Sequence, residues 1–274
     1  MSQQIDRTLD VLELLIEAVD GLPLGEIAEQ LRLPKSAAHR LVTRLVERGY
    51  MEQDAASQRY RLSMRMTVLG FRYLSQTGLT DICQPELDDL ARRTGELARV
   101  AMADGDTMTW VAQAQGARYG LRYDGNLGRH VVLPATAVGK VWLSTLTDEE
   151  AAAIVLAQGF GDPREVGPRA VTSIADLLEQ LAVTRERGYG FAWEEGEPGM
   201  AAVAAVIPAR TRDGRCVGTV SVAGPTVRQT KESVHALADD VKAVAARLAE
   251  LWPIRLSQPE APVPKSFETI GQGA

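Results

Sequence analysis

The stretch "LPKSAAHRLVTRLVERGY", residues 33 to 50, packs four basic residues, one histidine and a single acid into one apparent element. Ala38, Leu41, Val42 and Leu45 recur at the three- and four-residue steps of a helix with one buried face. With successive residues about 100° apart, Ser36, Arg40, Thr43 and Glu47 fall opposite that stripe, flanked by His39 and Arg44. Pro34 suits a first turn, where its missing N–H is not needed, so the helix begins near Lys35. The outward face is small, polar and basic towards its N-terminus. Such a face suits the major groove of double-stranded DNA: Arg pairs with guanine edges, Ser and Thr reach phosphates or bases, and the helix N-terminus attracts phosphate.

Upstream, Ile5, Leu9, Leu12, Leu15, Ile16 and Val19 space as the core-facing side of an amphipathic helix, which "DGLP" ends. Leu24, Ile27, Ala28 and Leu31 mark a second, shorter helix before the tight "RLP" turn. Downstream, "YMEQDAASQRYRLS" alternates around the turn-prone "DAAS" and predicts a two-stranded hairpin, with Arg59 and Arg61 on its return strand beside the DNA backbone. Helix, helix, tight turn, helix and hairpin make a winged helix-turn-helix. A short bundle with a merely solvated charged face is the competing reading, and the joint occurrence of turn, basic helix and wing favours DNA binding.

The overall charge of -6 does not oppose this. Up to Gln76 there are ten Lys/Arg and ten Asp/Glu, so the acid excess, 26 against 20, belongs to the rest of the chain. A distant acidic domain coexists with a locally basic surface. The 274 residues, 45% hydrophobic, suffice for two buried cores. The apolar run from Met200 to Ala209 is far shorter than the roughly 20 residues of a membrane span. The opening "MSQQIDRTLD" lacks a basic patch followed by an apolar stretch, so a cytoplasmic location is expected. Cys83 and Cys216 read as packing residues, and His39, His130 and His235 form no metal-ligand spacing, so neither metal nor cofactor is expected.

"LPKSAAHRLVTRLVERGY" followed by "YRLSMRMTVLG" resembles the recognition helix, wing and linker of IclR-family transcriptional regulators. "LPATAVGKVWLS" from Leu133, "GYGFAWEEGEPGMAAVAAVIPAR" from Gly188 and "GTVSVAGP" from Gly218 continue the likeness, over about residues 4 to 252. The resemblance implies a winged helix, a linker helix and a GAF-like domain that binds a small effector, working as a homodimer or dimer of dimers on palindromic operators. Its recognition positions map to Lys35, Ser36, Ala37, His39, Arg40, Thr43 and Arg44. Ala37 and Ala38 stand where Thr and a larger aliphatic residue are expected, which removes one hydroxyl contact.

"SMRMTVLGFRYLSQ" interleaves Met64, Val68, Phe71 and Tyr73 with polar residues, as a helix with an apolar seam would, packed either against its own domain or against a second copy. Beyond it, "ELDDLARRTG" is helical. "LARVAMA" and "MTWVAQAQ" flank the turn "DGDT", and Thr147 and Glu150 form a capping box. "SIADLLEQLAVTRERG" is a helix, "TRDG" joins two antiparallel strands, and a last helix runs from about Lys231 to Trp252. The expected architecture is α+β: a winged helix-turn-helix over 1–62, a linker and dimerisation helix over 63–76, a GAF-like domain over 77–252 with a mostly antiparallel sheet flanked by helices, and a mobile tail over 253–274.

An enzyme built on the C-terminal domain is the main competing class, with a ligand-independent regulator as the second, but P-loop, dinucleotide-loop and serine-elbow spacings are missing. Glu194, Glu195 and Glu197, beside Pro198 and Gly199, read as a solvated acidic turn rather than a catalytic pair. By the family's pattern, the effector cleft takes Leu133, Ala135, Ala137, Val138, Gly139, Ala202, Ser221 and Ala223. Small residues there allow either close ligand approach, with the 135–139 amides holding a carboxylate, or tight helix–sheet packing. Where family members with small polar effectors carry an acid, a cysteine and a second serine, this sequence has Ala192 or Trp193, Ala202 and Ala223. Fewer buried polar anchors predict a larger, less polar ligand, an aromatic acid stacked on Trp110 and Trp193.

Overall fold

Helices α1 (Ser2–Glu17), α2 (Leu24–Gln30) and α3 (Lys35–Glu47) and the hairpin β1 (Met51–Gln53)–β2 (Tyr60–Leu62) open the computed structural model, which describes residues 2–77, 79–125, 127–210 and 215–256. Ala38, Leu41, Val42 and Leu45 are buried on α3 as their spacing requires, and Val11, Leu15, Ile27 and Met51 complete the core around them. On α1 the expectation needs correction. Leu15 and, in part, Leu12 face the core as expected, joined by Val11, which the stripe left out, while Ile5, Leu9, Ile16 and the following Val19 are exposed. This helix has two apolar strips, and a periodicity argument cannot say which of them the neighbouring helices will cover.

The wing turn is held by the Asp54 carboxylate, which accepts from the Ala56 and Ser57 amides at 3.1 and 2.7 Å. Leu22 and Tyr60 exchange backbone hydrogen bonds of 3.0 and 2.8 Å, tying the return strand to the α1–α2 connection. Gly21, at φ +76°, makes that approach possible, since a Cβ there would lie 2.7 Å from the Tyr60 carbonyl oxygen. Helix α4 (Met64–Thr77) follows, with Met64, Val68 and Leu69 exposed. The side chains of Phe71 and Tyr73 lie outside the described residues.

The chain divides into two compact units, Met1–Thr77 and Gly78–Ala274, so the linker helix belongs with the winged helix. The second unit begins with α5 (Leu79–Thr94), ended by Gly95 at φ +69°. In chain order there follow β3 (Leu97–Asp104), β4 (Thr107–Gln115), α6 (Ala137–Leu143), α7 (Asp148–Gln158), α8 (Ile174–Arg187), β5 (Gly190–Trp193), β6 (Met200–Arg210) and β7 (Cys216–Pro225). The five strands form one antiparallel sheet in the order β4-β3-β7-β6-β5. Helix α6 packs on β5, β6 and β7, and α5 on β3 and β4. This is the α+β domain with a sheet flanked by helices that the sequence predicts.

The capping box is present: the Glu150 amide donates to Thr147 Oγ1 at 3.2 Å and the Thr147 amide to Glu150 Oε2 at 3.0 Å. Strands β6 and β7 pair as the "TRDG" signal implies, although residues 211–214 themselves lie outside the described residues. The single terminal helix expected from Lys231 to Trp252 is instead two, α9 (Lys231–Ala236) and α10 (Ala238–Leu256), parted at Leu237. The tail predicted from residue 253 starts later, because α10 runs on to Leu256, and residues 257–274 lie outside the described residues.

Candidate functional site

Two places bring the predicted site residues together, one in each unit. On α3, Lys35, Ser36, His39, Arg40, Thr43 and Arg44 are exposed on one side and Ala37 is half-buried. The N-cap, Pro34, offers no side chain to the first turn; the Ala37 amide donates to the Pro34 carbonyl at 2.8 Å, which leaves the Lys35 and Ser36 amides to solvent or to a phosphate. Lys35 and Arg40 form no ion pair with a described residue. The other cations are partly engaged: Arg44 meets Glu47 at 2.9 Å and Arg61 meets Glu52 at 2.7 Å. Arg59 turns inward and donates to the Gly21 carbonyl at 2.7 Å, so it braces the wing.

The second place is a cavity of about 450 Å³ within the α+β unit, open on one side and in the size range of small-molecule clefts. Its base follows from register. Ala192 pairs with Ala202 and Ala202 with Ala223, so three methyl groups on three adjacent strands lie side by side and leave the volume above them open. One step along, Arg99 of β3 pairs with Ser221 of β7 and shares their face of the sheet. Ala135, Ala137 and Val138, at the start of α6, line the cavity, as do Trp110, Tyr123 and Glu197.

Of the predicted effector residues, Trp110, Ala135, Ala137, Val138, Ala202, Ser221 and Ala223 line this cavity, and Leu133, Gly139 and Trp193 do not. Leu133 is packed into the core. A Cβ on Gly139 would lie 2.2 Å from the Leu133 carbonyl oxygen, so here the small residue serves close packing. The Gly139 amide is also taken, donating to Thr136 Oγ1 at 3.0 Å, which removes one donor from the expected carboxylate site at 135–139.

Arg99 is the residue that sequence reasoning missed. It is 7% exposed and lines the cavity, with its guanidinium carbon 3.7 Å over the Trp110 ring and 5.1 Å from the Tyr123 ring. Its Nε has no hydrogen-bond partner, and no described carboxylate lies within ion-pair distance. Burial pushes the guanidinium below its ordinary pKa, while Tyr123 and Glu197 favour its charged form. The Tyr123 hydroxyl donates to Glu197 Oε1 at 2.5 Å, and burial raises its pKa to about 12. Two expectations are therefore corrected: the cavity is not poor in polar anchors, and one face of Trp110 is covered by Arg99 rather than free for a ligand ring. The signal was legible: a lone arginine inside the apolar strand "LARVAMA" sits where charge is rarely buried without a reason.

The acidic turn is corrected as well. Glu195 is buried and accepts from Lys140 Nζ at 2.6 Å, Gln180 Oε1 takes a second Lys140 hydrogen at 2.8 Å, and Glu194 reaches Arg169 at 3.5 Å. This pair ties α6 to the β5–β6 connection; neither Lys140 nor Glu195 lines the cavity. Among the described residues no cluster of His, Cys, Asp or Glu is suited to a metal ion, and both cysteines are buried.

A winged helix-turn-helix with an outward basic helix, joined to an α+β unit that carries an open cavity, defines a DNA-binding regulator with a second domain. The chain belongs to the IclR family of bacterial transcriptional regulators: residues 4–55 match the IclR helix-turn-helix domain and residues 71–250 the IclR C-terminal domain. It is 31% identical over 247 residues to the HTH-type transcriptional regulator BhcR of Paracoccus denitrificans, covering 89% of this chain and 85% of that one. The transcriptional repressor IclR of Escherichia coli is 28% identical over 233 residues, 85% of this chain and 83% of its own. Among solved structures, an IclR homologue of Microbacterium hydrocarbonoxydans complexed with 4-hydroxybenzoate shares the fold, with a TM-score of 0.74 and 19% identity over 92% of this chain and 99% of that one.

Proposed function

We propose that this regulator is a ligand-responsive repressor of a catabolic operon, acting in the cytoplasm without making or breaking bonds. The exposed basic face of α3, with Lys35 and Arg40 free of acid partners among the described residues, is the observation that carries the DNA-binding half. The cavity over the alanine row supports an effector site for a small organic acid, and the 4-hydroxybenzoate complex of the Microbacterium relative is in keeping with an aromatic one. The repressor named among the relatives supports the sign of regulation. Effector and operator must favour different conformations, so each weakens the other's binding by the same factor.

The working form is a homodimer or a dimer of dimers. Exposed Ile5, Leu9 and Ile16 on α1 and Met64, Val68 and Leu69 on α4 offer apolar surface to a second copy, and two recognition helices would then meet DNA about one turn apart. No described helix is long and apolar enough to cross a membrane. The test is gel-shift binding to DNA upstream of the protein's own gene, at fixed salt, against an unrelated competitor. Retention under competition is expected; binding that ignores sequence and fades with salt would overturn the proposed operator recognition.

A further inference from the structure

Arg99 has no counterpart in the role just proposed for the cavity. A buried cation without a paired acid is destabilising, and the chain keeps this one at the cavity wall. Its position is built rather than incidental. Trp110 supports one face of the guanidinium at 3.7 Å, and Tyr123 lies 5.1 Å from it. Gly125 lets the β4–α6 connection lie against it, since a Cβ there would be 2.9 Å from Arg99 Nη1. Across the strand pair, Ser221 Oγ is buried, lines the same cavity and also lacks a hydrogen-bond partner. A guanidinium and a hydroxyl with unused donors, set side by side at one end of an alanine-based cavity, are the complement of a carboxylate: two acceptor oxygens in a plane, with an apolar body behind them.

We infer that Arg99 and Ser221 form the carboxylate-reading end of the cavity, so that the effector is a monocarboxylate whose apolar body lies along Ala192, Ala202 and Ala223. This rests on the reading of the cavity as the effector site. Arg129 and His130 also line the cavity, but four acids, Asp124, Asp162, Glu165 and Glu197, stand against the two arginines Arg99 and Arg129, so the lining as a whole disfavours a second carboxylate; Glu197, the acid acting on Arg99, already accepts from Tyr123. Arg99 thus sets specificity for charge, while the alanine row sets room for the body.

The test measures calorimetric binding to the full-length protein of three carboxylates, benzoate, phenylacetate and hexanoate, each beside its primary amide. At least one acid should bind, its amide roughly 10- to 100-fold more weakly, as expected for loss of charge-assisted hydrogen bonds. Arg99→Gln should abolish the preference for acid over amide, a ratio that loss of a merely structural brace would not invert. Ser221→Ala, which only removes a hydroxyl, should keep the fold and weaken the acid by a smaller factor. Amides binding as tightly as acids, a preference that survives Arg99→Gln, or no acid binding at millimolar concentration would each overturn the inference. Operator binding measured on the same samples separates these outcomes: specific DNA binding unaffected by an acid that does bind would overturn the effector role and leave the anion site standing.

Discussion

Lys35 and Arg40 of the winged helix stand in solvent with no described acid within ion-pair distance, whereas Lys140 of the α+β unit is 2% exposed and held by Glu195 at 2.6 Å. The two units manage positive charge under opposite rules. At the surface an unpaired cation is hydrated at little cost and stays available for phosphate. In the interior a cation must be matched by the protein, as Lys140 is, or stand at a site that a ligand can complete, as Arg99 does. What a basic residue does in this chain is therefore decided by its depth and its partners rather than by its type.

The sharpest way to break the contrast is at the buried pair. Lys140→Met leaves Glu195 without its cation and should destabilise the α+β unit by about 3–5 kcal/mol, while Lys140→Met with Glu195→Leu should recover most of that loss. Urea unfolding would read it, and a single variant as stable as the parent would show that the interior tolerates unpaired charge. Next, Gly139→Ala forces a Cβ against the Leu133 backbone and should cost about 1–3 kcal/mol whether or not a ligand is present. If stability is kept and only ligand binding falls, Gly139 belongs to the effector site after all.

At the surface the same kind of change should spare the fold. Arg40→Ala is expected to weaken specific operator binding by roughly 10- to 100-fold, with unfolding and ligand binding unchanged. Unaltered operator affinity would refute the assigned recognition face. Arg44→Ala, whose charge is already shared with Glu47, should have a smaller effect, lowering the salt slope of DNA binding by up to about one. The smallest effect concerns His235, stacked on Phe191 with ring centroids 4.0 Å apart. Burial and Arg187 lower its pKa from the ordinary 6.5, so the folded state prefers it neutral. That stabilisation is present above pH 6.5 and is lost as the pH falls below it, and His235→Gln should flatten the urea midpoint across this range.

Much of this was legible in the sequence, and the pattern of failures has a physical cause. The α3 stripe, the capping box at Thr147 and the β6–β7 pairing are local: their signals lie within a few residues, and the structure repeats them. The α1 stripe misled because Ile5, Leu9 and Ile16 are as periodic as Val11 and Leu15, and only packing chooses between two apolar strips. The acidic turn misled because Glu195 gains its partner from α6, and that lysine is 55 residues away in the chain.

By itself the sequence determined the helix periods, the caps, the turns and the basic face of "LPKSAAHRLVTRLVERGY", because each depends on side chains a turn or a strand apart. It also placed alanines at 192, 202 and 223 without saying that they would lie side by side. Only the tertiary structure decided that β3 and β7 pair in the register that sets Arg99 beside Ser221. Strand partners, and the burial they impose on a charge, are set by contacts between residues more than a hundred positions apart, where no local period reaches.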